Sequence, residues 1–163
     1  MQKVTTFLTF KEKAEEAVNL YVSLFKNSKI VSIVRSEGEG PIAKGALLHA
    51  SFQLDGQEFM AMDGGPYFSF AQGFSLFANC ETQEEIDRLW DKLSEGGEEQ
   101  PCGWVKDKYG VSWQIVPPIL GEMLNDKDAE KSKRVMEAML KMKKIDIKAL
   151  QQAYEHTSIL PKH

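Results

Sequence analysis

Strand-like alternation and helical spacing take turns along this chain. Residues 3–10, KVTTFLTF, are rich in β-branched and aromatic side chains and read as a strand. Residues 12–25 then change to a helical period, with Ala14, Ala17, Val18, Tyr21, Leu24 and Phe25 on one stripe. Residues 29–37 and 46–54 read as strands on either side of the turn-rich EGEGPIAKG. Asp55 and Gly56 make a tight turn into a further strand, QEFMAMD at 57–63. The first half is therefore strand, helix, then three strands.

After GGPYFSFAQG, whose glycine and proline content marks a connection, residues 74–80 (FSLFANC) open a second half as a strand. Thr82 has the character of a helix N-cap, with Glu85 completing a capping box, and Gly96 and Gly97 stop that helix. CGWVKD and VSWQIV come next as strands around the turn DKYG. Laid over residues 75–90, residues 6–21 match Glu12 with Glu81, Glu15 with Glu84, Glu16 with Glu85, Leu20 with Leu89, and Tyr21 with Trp90. Both segments change from strand to helix there, so two copies of one β-α-β-β-β module are the simplest account. The modules span 1–66 and 73–118 of a domain covering 1–122.

The pattern changes again beyond Pro117 and Pro118. Residues 128–144 place Val135, Met136, Met139, Leu140 and Met142 on one helical face with Lys and Arg opposite, and residues 146–155 repeat the design on a smaller scale. Two C-terminal helices are expected in an extension over 123–163. Their Met-bearing face would dock on the core or on a second subunit, or form an adaptable binding surface.

Composition narrows the function. The chain has 163 residues, 42% hydrophobic and 27% charged, an ordinary globular balance. A net charge of -4 argues against broad nucleic-acid or anionic-membrane binding. The N-terminus lacks a signal-peptide core, and no run of about 18 apolar residues exists to cross a bilayer. A cytoplasmic protein is expected, with no nucleic-acid or membrane partner. There Cys80 and Cys102 would remain thiols, and a reactive thiolate would need a cationic neighbour such as Lys106 or Lys108.

The duplicated module, AEEAVNLYVSLFKNSKI, DGQEFMAMDGGP and CGWVKDKYGVSWQIVP together resemble the PhnB-like branch of the glyoxalase, or vicinal oxygen chelate, superfamily, nearly over the whole chain and including the C-terminal helices. Members of that branch often carry the label 3-demethylubiquinone-9 3-methyltransferase. The resemblance implies an α+β fold, with tandem modules forming a curved mixed sheet around a cleft, generally completed in a homodimer. It also implies that metal-using members draw His, Glu or Gln ligands from the first and last strands of each module. The helix match and the two glycine turns carry those positions to Thr5, Phe74, Met60 and Gln114. Thr, Phe and Met are poor ligands for transition metals, so no residue is assigned to a metal and no cofactor is expected.

Gln114 is then a cleft amide that meets either a ligand oxygen or neighbouring backbone. His49, in LLHASFQL, alternates onto the more polar face of its strand. His156 and His163 lie in the tail, so acid/base chemistry by imidazole would have to use His49. His49 and Gln114 are the catalytic candidates, and Thr5, Phe7, Glu58, Met60, Met62, Phe74, Leu76, Trp104 and Ser112 are the expected ligand pocket. Asp63, on the other parity from Glu58, suits a surface or capping role. A shifted metal site of Glu58, His49 and Gln114 would instead make the chain a lyase, isomerase or dioxygenase, and a third reading is a non-catalytic dimeric interaction module. The methyltransferase label finds no residue support. GEGP at 38–41 is the only G-x-G, and it leads into a further strand rather than the helix of a nucleotide-binding loop.

Overall fold

The computed structural model describes residues 2–156; Met1 and residues 157–163, including His163 and the end of the expected extension, lie outside the described residues. The chain divides into two compact units, the first ending at Ala71 and the second beginning at Gln72.

Unit one contains β1 (Thr6–Phe10), α1 (Ala14–Leu24), β2 (Lys29–Arg35), β3 (Leu47–Leu54) and β4 (Gln57–Asp63). Its four-stranded sheet runs β1-β4-β3-β2, with β1 parallel to β4 and the other pairs antiparallel. Alternation decides which side is buried. Leu8 and Phe10, Ala50 and Phe52, and Phe59 and Ala61 turn inward, under Ala14, Ala17, Val18, Tyr21 and Leu24 of α1. Each large apolar side chain so buried contributes about 1.5–3 kcal/mol.

The start of α1 is held from a distance. Lys13 precedes it in the left-handed region at φ 63° and supplies no side-chain cap. Instead the Ala14 N–H donates to Asp63 Oδ1 at 2.8 Å, and the Leu47 N–H donates to Asp63 Oδ2 at 3.1 Å. One carboxylate thus joins the ends of α1, β3 and β4, with its negative charge at the positive end of the helix dipole.

Unit two repeats the design with β5 (Leu76–Asn79), α2 (Gln83–Ser94), β6 (Glu98–Glu99), a 3-10 turn (Pro101–Gly103), β7 (Trp104–Lys106) and β8 (Ser112–Val116). The strand order is β5-β8-β7-β6, again with the first and last strands parallel. The α+β duplication read from the sequence is therefore present as two mixed sheets of identical order. Thr82 caps α2 by accepting from the Glu85 N–H at 3.2 Å, while the Glu85 carboxylate reaches back to the Glu81 N–H at 3.3 Å, one residue before the cap.

Three helices come after β8 rather than the expected two: α3 (Pro118–Leu124), α4 (Ala129–Leu140) and α5 (Ile147–Glu155). The proline pair both follows the end of β8 and starts the additional helix. Proline in the first helical position has its φ already set and lacks only an N–H that would find no helical partner. The apolar stripe of α4 is also narrower than its sequence suggests. Val135 is fully buried and Met139 packs beside it, one turn on, but Met136 and Leu140 lie a step further round the helix and are 40% and 60% exposed.

Val116, Leu120, Met123, Val135, Ile145 and Leu150 form the core of this helical part. Its seam to the strands is hydrogen-bonded. The Cys102 and Gly103 N–H groups donate to the carbonyls of Met142 and Lys143 at 2.9 and 2.7 Å. The Gln83 amide donates to Ile145 O and accepts from the Ile147 N–H, both at 2.9 Å. The extension docks on unit two itself. No helix among the described residues is long and apolar enough to cross a membrane.

Candidate functional site

On unit one, the sheet face opposite α1 carries the titratable candidate. The register sets Phe7 beside Met60 and Met60 beside Ser51, so Phe7, Met60 and His49 share that face. His49 Nε2 lies 3.2 Å from Met60 Sδ, and the rings of Phe7 and His49 meet edge to face at 6.0 Å. Phe7 is 43% exposed. A half-buried imidazole between a thioether and an aromatic edge can give or take a proton from a molecule laid on this face. Thr5 and Met62 are half-buried on the same parity.

Glu58 also points this way, but Gln2 brackets it. The Glu58 N–H donates to Gln2 Oε1 at 2.8 Å, and the Gln2 backbone N–H and side-chain amide donate to Glu58 Oε2 and to the Glu58 carbonyl. Asp63 is engaged in the cap described above.

On unit two, the parallel register places Phe77 beside Gln114 and Leu76 beside Trp113, and the β7–β8 pairing places Trp104 on the other side of Gln114. Phe77, Gln114 and Trp104 therefore form a row across the sheet. Leu76, expected in the pocket, shares the parity of buried Trp113 on the α2 side. Phe74, expected as a strand residue, lies ahead of β5. The cause is a connection of unequal length. Phe10, the last residue of β1, and Cys80, just after β5, are equivalent and fully buried, yet α2 begins one residue sooner after Cys80 than α1 does after Phe10. The helix match survives this difference, but the strand match slips by one residue and inverts the faces.

With that correction, the residue equivalent to Thr5 is Ser75. The Gln114 side-chain amide donates to Ser75 Oγ at 3.0 Å. The four positions that metal-using relatives would fill are thus two hydroxyls, a thioether and an amide. None offers imidazole, thiolate or carboxylate, so neither Thr5 and Met60 in unit one nor Ser75 and Gln114 in unit two suit a divalent transition metal. Among the described residues no group of three or more His, Cys, Asp or Glu is placed to hold a metal ion.

The row on unit two is braced from behind. Asp107 is buried; its Oδ1 accepts from the Tyr109 and Val111 N–H groups at 2.9 and 3.0 Å, and its Oδ2 accepts from Trp113 Nε1 at 3.0 Å. That carboxylate shapes the DKYG turn and fixes the register in which Gln114 faces away from the helix. Cys80 and Cys102 are free thiols. Burial, with Glu85 nearby and against the pull of Arg88, pushes the Cys80 thiol up to about 12, so it is no nucleophile near neutrality.

Beside the row is an open depression of about 480 Å³ lined by Gln72, Glu98, Gln100, Pro101, Trp104 and Ser112, all in unit two. Trp104 and Ser112 were expected to line a pocket. Gln72, Glu98, Gln100 and Pro101 were not, because they lie in connections and in a two-residue strand too short to show any periodicity.

Comparison with known proteins matches this geometry to a family. Residues 2–116 match the family described as 3-demethylubiquinone-9 3-methyltransferase. A PhnB protein from Bacillus cereus carrying the same description is 47% identical, with a TM-score of 0.67 over 71% of this chain and 99% of that one. Protein PA1353 from Pseudomonas aeruginosa is 23% identical, with a TM-score of 0.60 over 72% and 98%. The fosfomycin resistance protein FosX from Mesorhizobium loti is 14% identical, with a TM-score of 0.51 over 77% and 100%. The last two speak to the fold alone. No curated protein matches the chain. The family match ends at Val116, so α3, α4 and α5 lie beyond it, contrary to the near-complete coverage that the sequence motifs implied. On the strength of that match and of the duplicated sheets, the chain belongs to the 3-demethylubiquinone-9 3-methyltransferase-like, or PhnB-like, family on the glyoxalase fold.

Proposed function

We propose that this chain is a metal-independent, homodimeric binder of a small, partly apolar metabolite, with a candidate contact face in each unit taken by itself: the sheet face that carries His49 in unit one, and the sheet face that carries Gln114 and Trp104 in unit two. The observation that carries the reading is the chemistry of Thr5 and Met60 in unit one and of Ser75 and Gln114 in unit two. These side chains suit hydrogen bonding and apolar contact, not metal coordination. In unit one Phe7 would supply apolar contact; in unit two Phe77 and Trp104 would do so, with Gln114, Ser75 and Ser112 orienting polar atoms of a ligand. If the bound molecule reacts, His49 is the group that moves a proton.

Homodimerisation accords with exposed apolar side chains on the strands, among them Phe7, Val31, Val34 and Phe77. Two free thiols suit a reducing compartment, so the proposed location is the cytoplasm. We assign no methyl transfer. Both strand-to-helix connections, residues 11–13 and 80–82, lack the glycines that let backbone approach a nucleotide-type cofactor, and GEGP joins two strands.

Plasma mass spectrometry on gently purified, untagged protein is the decisive measurement. Metal far below one ion per chain is expected; one transition-metal ion per chain, lost on mutating Gln114, would overturn the proposal. Light scattering should give the mass of two chains. If a copurifying molecule binds His49→Ala and Gln114→Ala as tightly as the parent, the site assignment fails.

A further inference from the structure

We infer that the depression beside Trp104 is a subsite for an uncharged, polyhydroxylated molecule, a sugar or a polyol of similar size. The inference rests on the small-molecule reading above and gives its ligand a chemical class.

The lining argues for that class by exclusion and by fit. Gln72 and Gln100 carry primary amides that both donate and accept, as hydroxyl groups do. Ser112, buried, adds a further hydroxyl from β8, and Glu98 offers acceptors only. The half-buried indole of Trp104 gives a flat apolar wall against which the C–H face of a ring can lie. A hydrocarbon ligand would strip water from two amides and a carboxylate without replacing those hydrogen bonds.

An anion would find no cation among the lining residues. A cation would find Glu98 in the lining, but Lys106, outside the lining, stands opposite Glu98 in the β6–β7 pairing on the same face and offsets that carboxylate's charge. Neither residue takes part in the ion pair of Arg35 with Glu15 or in that of Lys144 with Asp87. The site is polar and locally charge-balanced, which favours a neutral, hydroxyl-rich ligand. Its volume of about 480 Å³ lies within the usual range for small-molecule sites.

The rim is also set in advance. The Gln100 N–H donates to the Trp104 carbonyl at 2.9 Å, and Cys102 and Gly103, which lie between those two residues, are tied to Met142 and Lys143 of the helical extension. Cys102 and Gly103 both have positive φ, at 60° and 84°. A rim fixed in this way loses little freedom when a ligand arrives.

The test uses the full chain and the indole N–H signals of its three tryptophans in two-dimensional NMR. Trp90 and Trp113 are buried and serve as internal controls for folding. Maltose and myo-inositol are titrated, with citrate, spermidine and octanoate as contrasting probes. The expected result is a shift of the Trp104 signal with a polyol, unaffected by added salt. Read by isothermal titration calorimetry, which does not need the Trp104 signal, Trp104→Ala should weaken that binding about tenfold and Gln100→Ala by less. Trp104→Phe, which keeps an aromatic wall, serves if the alanine variant loses the Trp90 and Trp113 signals.

A Trp104 shift with citrate, spermidine or octanoate but not with the polyols would overturn the class while leaving small-molecule binding intact. No shift with any probe would overturn the subsite itself, and the His49 face would then be tested separately through its own imidazole signals.

Discussion

Asp63 makes two hydrogen bonds that no other residue of unit one replaces, so its removal gives a sharp test of how the first module is held together. In Asp63→Ala, the Ala14 and Leu47 N–H groups lose their acceptors at 2.8 and 3.1 Å, and α1, whose preceding residue provides no cap, loses the negative charge at its start. Hydrogen bonds to a charged group contribute about 1.5–3 kcal/mol each, and loss of an N-cap costs about 0.5–2 kcal/mol. Because Asp63 is only half-buried, water recovers part of this, and a total loss of about 2–4 kcal/mol is expected. Asp63→Asn retains one carbonyl oxygen and turns an N–H toward the other donor, so about half of that loss should result.

Urea unfolding monitored by circular dichroism measures the energies. Amide hydrogen exchange locates them, with faster exchange expected at Ala14 and Leu47. An alanine variant within about 0.5 kcal/mol of the parent would refute the reasoning, since that is the range of an ordinary surface substitution. Equal losses for Asn and Ala would refute the account in which each oxygen holds a separate element.

The geometry sets three further outcomes. The unfolded Cys80 thiol ionises near 9.0 but the folded one only at about 12, so its contribution to stability is complete below about 9 and is lost as pH rises toward 12; Cys80→Ala should flatten that alkaline decline in the free energy of unfolding. Ile145→Ala empties a fully buried position that also touches Gly103, and should cost about 2–5 kcal/mol while shifting Trp104 fluorescence; an unchanged emission spectrum would deny the coupling between the helices and the rim. Gly97→Ala would put a Cβ 2.2 Å from the Lys106 carbonyl, so β6 and β7 must separate; full retention of amide protection at Glu99 and Val105 would contradict the packing.

The sequence made the element order legible because each module changes period where strand gives way to helix. It also placed β4 at its observed bounds and Thr82 at its cap. Parity in the second module was not legible, because the helices and the strands align at different offsets and one residue in a connection leaves no hydrophobic signature. The two-residue β6 was invisible for a related reason: alternation needs more positions than it has. The proline pair read as a stop, since proline ends a helix and begins one with equal force, and only the spacing of Ile119, Leu120 and Met123 beyond it decides between them. His49 could be placed on the polar face of β3 from alternation alone. That Gln114 would find its partner in Ser75 required the true register.

The parallel pairing of the opening and closing strands in each unit also has a mechanical consequence. A tension applied to the start of β1 and the far end of β4 runs along both strands in opposite senses, so the five register pairs from Thr6–Phe59 to Phe10–Asp63 bear the load together. An antiparallel hairpin such as β3 and β4, pulled at its two free ends, would instead open pair by pair like a zip. The shorter β5–β8 clasp shares the same load among four pairs. Under an unfolding machine, or a protease that pulls, the second copy of the module should therefore yield at lower force than the first.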